Sequence, residues 1–569
     1  MPKSTISQGN AIDIINDYLA WHNLPIELNR NGVCHGLAII RAQYIFEGKE
    51  EEFFKMLEKI VDMSQGNFTE ITTSDDPLSG DIDHFIFQVL IAYKPDVYDK
   101  RYTQRNAHEI IKVAGHPLVS DFTLPLVTSK TNWVSIFKEL NMQDGEVFNA
   151  SSPNHTISIY RKNGQYVVYD PNYNLGRKTF NNEEQLVEEL RKNVFVFDGG
   201  NLALVLKQLR PADKPANANR RSAQDFYNRY LDVKQKAKYD NHEVTTLQLA
   251  CTENDDTLLK TLFKKSEKID LDTLENSIAI ATSLNADRTL DAILNYQDID
   301  GNRLFTKPDS VNLAILLSLK NGSMECFKVI LKEPTGDSAY RSFINPTSSS
   351  SNFIIKSAAQ GGNPDLLRQI LQDMDNSVPS PVTLAEKLFA VDKIGRNTLT
   401  ATIEGGSSEC LKILLERLSS EKFDVDVKQY EALLGLAIEK NNFLMVDHLL
   451  NHMPERQKQS IIVRLNLSVS QAEKTDLHIL NSLEKNGADF SGSVKMVMKD
   501  KQTHKLSSTS ILGVKLTSFV EYIKIKLGLT KHISFDEKAV NKEKVWDFKK
   551  SLREIKGEFL PKSKTPELK

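Results

Sequence analysis

From about residue 243 onward one pattern recurs: a helix-like run ending in small residues, a polar turn, and a second run ending in two bulky aliphatics. Thr246-Leu247-Gln248-Leu249-Ala250-Cys251 precedes Leu262-Phe263, Asn276-Ser277-Ile278-Ala279-Ile280-Ala281 precedes Ile293-Leu294, and Asn312-Leu313-Ala314-Ile315 precedes Ile330-Leu331. Clearer copies are Ile355-Lys356-Ser357-Ala358-Ala359-Gln360-Gly361-Gly362 before Ile370-Leu371, Thr398 to Gly406 before Leu414-Leu415, and Leu434-Gly435-Leu436-Ala437-Ile438 before Leu449-Leu450. A decayed seventh copy ends at Leu483, before Asn486-Gly487-Ala488-Asp489. Each helix pair has an apolar face that it cannot bury alone, so neighbours must stack, with small residues where helices touch.

The spacing from aliphatic pair to aliphatic pair is 31, 37, 40, 44 and 35 residues, scattered upward from about 33 per ankyrin unit. The pattern resembles ankyrin repeats with loop insertions, which implies an all-α solenoid that binds another protein. Cys326 and Cys410 fall at equivalent positions in two copies and read as packing residues, as buried free cysteines usually are.

The chain has 569 residues, too many for a single core. The expected division is 1-208 for an α+β domain, 209-242 for a linker with a connecting helix, 243-489 for the repeats and 490-569 for a basic helical tail. Hydrophobic residues make up 40% and charged residues 26%, the balance of an ordinary globular chain. No signal peptide or membrane-spanning run is visible. Cys34, Cys251, Cys326 and Cys410 lie far apart with no CxxC pair, which argues against a disulfide framework or structural zinc and for a reducing compartment. The net charge is −3, yet residues 490–569 carry 18 Lys/Arg against 9 Asp/Glu. Two amphipathic helices are expected in that tail, near 516–527 and 542–555.

Residues 1–208 have another texture. Amphipathic helices, from Ala11 to Trp21 and from Cys34 onward, precede alternating segments typical of strands. Thr156 to Tyr160, Tyr166 to Tyr169, Val194 to Phe197 and Leu202 to Leu206 are the strand candidates, giving helices first and an antiparallel sheet second. Between Gly66 and Gln143 no chemistry can be assigned. The stretch Arg220 to Lys238 reads as a basic connecting helix.

The chemistry centres on Gly32-Val33-Cys34-His35-Gly36, where an apolar helical pattern begins at the thiol. At a helix N-terminus the dipole and free amides favour a thiolate. Gly32 and Gly36 leave both flanks bare for a substrate backbone. The Cys34 amide and the Asn29 side chain are candidate oxyanion donors. A nucleophile needs a base, and the base an orienting group. The run from His155 to Asp170 reads as a hairpin turning at Asn163-Gly164. Paired residues then sum to 327, placing His155 diagonal to Asp170 on one sheet face, about 7–8 Å apart at Cα. A one-residue slip would separate them.

Gly-x-Cys-x-Gly opening a helix, Asn29 five residues earlier, and a later His155 followed by Tyr169-Asp170-Pro171-Asn172-Tyr173 resemble the YopT/AvrPphB family of papain-fold cysteine proteases. These are effectors that bacterial pathogens inject into host cells. The resemblance covers roughly residues 20 to 210. It implies Cys34 as nucleophile, His155 as general base, Asp170 as its orienter and Asn29 in the oxyanion hole. A protease-like unit followed by ankyrin repeats and a basic tail also resembles ankyrin effectors delivered by type IV secretion. That implies a protein exported from a bacterium into the host cytoplasm, where the repeats recruit a host protein for cleavage.

Blander readings stand beside these. Cys34 alone reads as a packing cysteine, and His155 with Asp170 as a strand-end ion pair. His35 reads as an exposed helix-start residue rather than a second base. His448 and His452 have helical metal-pair spacing, but repeat packing explains them better. There is no HExxH, P-loop or GxGxxG run, so neither cofactor nor metal is expected. The tail mixes lysines with Glu543, Asp547, Glu554 and Glu558, which favours a solvated helix pair or secretion signal over nucleic-acid or membrane binding. Two alternatives remain for the function: deamidation or transglutamination through the same three residues, or a non-catalytic ankyrin scaffold.

Overall fold

The computed structural model describes residues 6–21, 33–63, 82–93, 102–153, 155–239, 242–266, 269–298, 308–345, 350–377, 383–423 and 425–512 apart from 393–394, with isolated positions between. The chain is mixed α+β: an N-terminal region with an antiparallel sheet is followed by a mostly helical part. Two compact units separate, one comprising Met1–Glu253 with Thr257–Lys265, the other centred on Ser266–Gln502. Among the described residues no helix is long and apolar enough to cross a membrane.

In the first unit, helices α1 (Gln8–Trp21), α2 (Cys34–Phe46), α3 (Glu50–Asp62) and α4 (Ile82–Tyr93) precede the sheet. Its strands are β1 (Lys112–Val113), β2 (His116–Val119), β3 (Thr123–Ser129), β4 (Val147–Ser152), β5 (His155–Lys162), β6 (Gln165–Tyr169), β7 (Arg177–Phe180) and β8 (Asn201–Pro211). They lie in the order β1-β2-β8-β4-β5-β6-β7, with β3 also on β8, and every pairing is antiparallel.

The β5–β6 hairpin has the expected register, with Ser158 opposite Tyr169 and Lys162 opposite Gln165. Asn163 (φ 51°) and Gly164 (φ 75°) both take the left-handed backbone that a tight two-residue hairpin turn demands. Helix α2 packs on β5 and on α4. Arg41, inside this apolar helix, is fully buried. It donates to Glu50 Oε1 (2.9 Å) and Ser158 Oγ (3.0 Å), and its guanidinium lies 5.5 Å from the Tyr169 ring centre. One cation thereby ties α2 to α3 and to two strands.

Three expectations need correcting. Val194 to Phe197 is not a strand: a helical turn, Leu190–Val194, continues the preceding helix, and Val196 then takes φ 50°, so alternation of bulky residues misled. Residues 209–242 are not a free connector. They finish β8 and contribute the helix Ala223–Tyr230 and strand β9 (Lys236–Tyr239), which pairs with β10 (His242–Thr245). Phe226 and Tyr227 are buried, and Arg220 is ion-paired with Glu146 at 2.6 Å. The helix Thr246–Glu253, read as the opening of the repeats, packs on β3, where Thr246 Oγ1 accepts from the Val127 amide.

In the second unit, helices Leu271–Ser283, Pro308–Lys320, Ser350–Gly361, Thr398–Gly405 and Val427–Glu439 touch one another in succession. Small residues make this possible. A Cβ on Gly361 would come within 2.0 Å of the Leu319 carbonyl oxygen, and one on Gly405 within 2.3 Å of that of Gln360. Cys326 and Cys410 are fully buried in their helices, as their repeat positions suggest. The expected tail helices near 516–527 and 542–555 lie outside the described residues.

Candidate functional site

Helix α2 begins at Cys34, and its first internal bond runs from the Leu37 amide to the Val33 carbonyl (2.9 Å). Val33 offers no side-chain cap, so the first-turn amides are not consumed by one. The 5% of Cys34 that is exposed lies at the positive end of a 13-residue helix.

His155 opens β5 and Asp170 directly follows β6, so the hairpin register brings them together: His155 Nε2 is 2.8 Å from Asp170 Oδ1. Both are buried, His155 at 6% and Asp170 at 0% exposure. The Cys34 thiol is the other group that acts on the imidazole. With Nε2 engaged by Asp170, Nδ1 is the nitrogen left for sulfur. Burial acts to lower the His155 pKa, but the hydrogen bond to Asp170, the neighbouring Cys34 thiol and the charges of both outweigh it and raise it to about 9. The Phe195 ring, 5.9 Å from the His155 ring and edge-on to it, shields the imidazole.

Three of the four sequence-predicted residues therefore converge across 121 and 15 positions of chain. The fourth, Asn29, lies outside the described residues, as does Gly32. Gly36 has another role than the one expected of it. A Cβ there would sit 2.6 Å from the Val89 carbonyl oxygen, so the glycine lets α2 approach α4.

His35 is not an exposed helix-start residue. It is half-buried, with Nδ1 3.5 Å from Thr156 Oγ1, and it lines a small cavity with His108, Asn149 and Lys207. Burial, then the Lys207 charge, lowers its pKa to about 4; His108 is held well below its ordinary value by burial, Lys207 and His35. Lys207 itself is committed to Glu253 (2.9 Å) and the Arg105 carbonyl (2.7 Å). This cluster comes partly from the stretch between Gly66 and Gln143, where sequence reading found no chemistry; two histidines brought together from distant segments leave no local pattern. His452 is occupied: Nδ1 bonds Tyr430 Oη (2.6 Å) and Nε2 the Leu415 carbonyl (2.7 Å). That leaves the ring no free nitrogen for a metal pair with His448.

A thiol, an imidazole and a carboxylate in sequence can transfer a proton from sulfur to nitrogen while the carboxylate fixes the ring. Comparison with protein-family models and with curated proteins gives no match for this chain.

Proposed function

We propose that the N-terminal unit is a cysteine-type hydrolase of the papain-like class, resembling YopT/AvrPphB proteases, with Cys34 as nucleophile, His155 as general acid–base and Asp170 as its orienter. The observation that carries this reading is the buried imidazole bonded to Asp170 at 2.8 Å, with the thiol at a helix N-terminus as the other group acting on it. In the first step the Cys34 sulfur bonds to the carbonyl carbon of a peptide, its proton having passed to His155. The C–N bond breaks as that proton moves to the leaving amine. Water then attacks the thioester, giving a proton to His155 while the C–S bond breaks. With a glutamine side chain as acyl donor and ammonia as the leaving group, the same centre would be a deamidase when water resolves the thioester and a transglutaminase when an amine does.

The proposal extends to the helical unit as an ankyrin-like array that recruits a host protein, within an effector delivered by type IV secretion to the host cytoplasm. The stacked helix pairs and their glycine contacts support the array; recruitment and delivery rest on the resemblance of the domain order alone. The non-catalytic scaffold remains the second reading, favoured by the burial of Cys34 at 5% exposure. Labelling of the full chain with a thiol-directed peptide electrophile tests the choice. Reaction at Cys34 should fall by about 10²-fold or more in His155→Ala; unchanged labelling would leave only the scaffold.

A further inference from the structure

The carboxylate that orients His155 sits on a turn whose geometry is set from the other end of the unit. Asp170 Oδ1 accepts from His155 Nε2 and also from the Asn172 amide (2.8 Å), so the turn Asp170-Pro171-Asn172 fixes that oxygen. The segment just before α1 lies along this turn. The Ile6 amide donates to the Asn174 carbonyl (3.1 Å), and the Gln8 amide to that of Pro171 (2.6 Å). The Gln8 side chain donates to Asn172 Oδ1 (2.6 Å), and the Asn172 amide nitrogen lies 3.5 Å from His155 Nε2. Ile6 is buried; a Cβ on Gly176, at the end of the turn, would come within 3.0 Å of Ile6 Cδ1. Three hydrogen bonds and an apolar contact thus strap the turn down, across 164 positions of sequence.

We infer that Ile6 and Gln8 form a positioning strap: by bonding Pro171, Asn172 and Asn174 they hold the Asp170 carboxylate on the His155 ring, so the reactivity of Cys34 depends on the chain's N-terminal segment. This rests on the hydrolase reading of Cys34, His155 and Asp170, but it adds residues with no chemical function of their own. The titratable groups facing His155 are Cys34 and Asp170, so a looser carboxylate registers as weaker proton binding by the imidazole.

The test is the rate of iodoacetamide alkylation of Cys34 against pH on the full chain, read by mass spectrometry of the Cys34 peptide. Gln8→Met keeps the side-chain length and removes the donor. Asn172→Ala removes the partner at an exposed position, where the fold has little to lose. Each should lower the alkaline limb that reports His155 by about half a pH unit and so halve, roughly, the His155-dependent alkylation at pH 9, the size expected for one hydrogen bond. The double variant should do no more than either single one. If His155→Ala removes that limb while both Gln8→Met and Asn172→Ala keep the wild-type profile, the strap is overturned and the hydrolase reading stands. If His155→Ala itself leaves the profile unchanged, both fall.

Discussion

The two units of this chain use the same kinds of residue for opposite ends. In the helical unit, polar side chains close helix ends: Asp270, Asn363, Ser407, Asp426 and Asn442 each accept from first-turn amides, and glycines let backbones touch. Its cysteines are buried in the core, where the Cys326 thiol donates to the Ala281 carbonyl at 3.7 Å. In the N-terminal unit the helix bearing Cys34 starts with no side-chain cap, and buried polar groups face one another in the interior. Burying such groups costs stability unless each is matched. A fold retains that cost where the groups have work to do or lock the structure, and Cys34-His155-Asp170 and Arg41-Glu50-Ser158 are two such places here.

The largest expected difference separates the cysteines. At pH 7.5 a small alkylating agent should reach Cys34 first, and at a rate that falls by about 10²-fold in His155→Ala. Cys251, Cys326 and Cys410, all at 0% exposure, should react only as fast as their surroundings open. Quantitative labelling under native conditions checks this, and equal rates at all four sites would erase the distinction between a chemical and a packing cysteine.

How far the sequence revealed this site depended on whether its parts carried local patterns. The β5–β6 register was legible because Asn163-Gly164 can turn in few ways, and that turn fixed the sum that brings His155 to Asp170. The start of α2 was legible from the apolar run beginning at Leu37. Gln8 was not, because nothing near residue 8 encodes its bond to Asn172. Arg41 was equally hidden: a cation in an apolar helix reads as a surface residue until Glu50, Ser158 and Tyr169 are known to surround it. Val194 to Phe197 misled for the opposite reason, having a strand's alternation without a strand's neighbours.

Next in size is the Arg41 cluster. Burial lowers the Arg41 pKa, and Glu50 opposes that through its charge and hydrogen bond. Arg41→Met should destabilise the N-terminal unit by about 3–5 kcal/mol, since it removes two buried hydrogen bonds from a charged donor, to Ser158 and to Glu50, which keeps only Lys162 at 3.0 Å and Arg177 at 3.9 Å. Arg41→Met combined with Glu50→Gln should recover part of that loss. Urea denaturation measures both. A cost below about 1 kcal/mol would make the cluster equivalent to a surface pair.

The pH response should set the units apart as well. The folded-state pKa of His155, about 9, lies above the ordinary 6.5. Its contribution to stability is therefore fully present below pH 6.5 and is lost as pH rises through 9. His35 has the reverse sign: held near 4, it favours the fold above pH 6.5, and that preference, on the order of 3 kcal/mol, is lost as pH falls through 4. The N-terminal unit should thus be most stable near pH 6.5. His155→Gln should flatten the alkaline side and His35→Gln the acid side of a plot of urea midpoint against pH. Two unaltered slopes would mean that neither ring is held as the geometry requires.

The smallest effect is the sharpest test of the helical unit, because it predicts a change of sign. Gly405 and Gly435 both lie within helices, where alanine is intrinsically better by about 1 kcal/mol. At Gly435 a Cβ meets nothing within 4 Å, so Gly435→Ala should stabilise by that amount. At Gly405 the new Cβ would stand 2.3 Å from the Gln360 carbonyl oxygen and 3.0 Å from its carbon. These are backbone atoms, and they move only if the helix Ser350–Gly361 shifts with them. Overpacking of this kind costs about 1–3 kcal/mol, so Gly405→Ala should destabilise despite its better helix propensity. Thermal unfolding of the two variants gives the answer directly: opposite shifts mean that helix contact determines the residue at 405, whereas two upward shifts mean that the helices stand too far apart for stacking to require glycine.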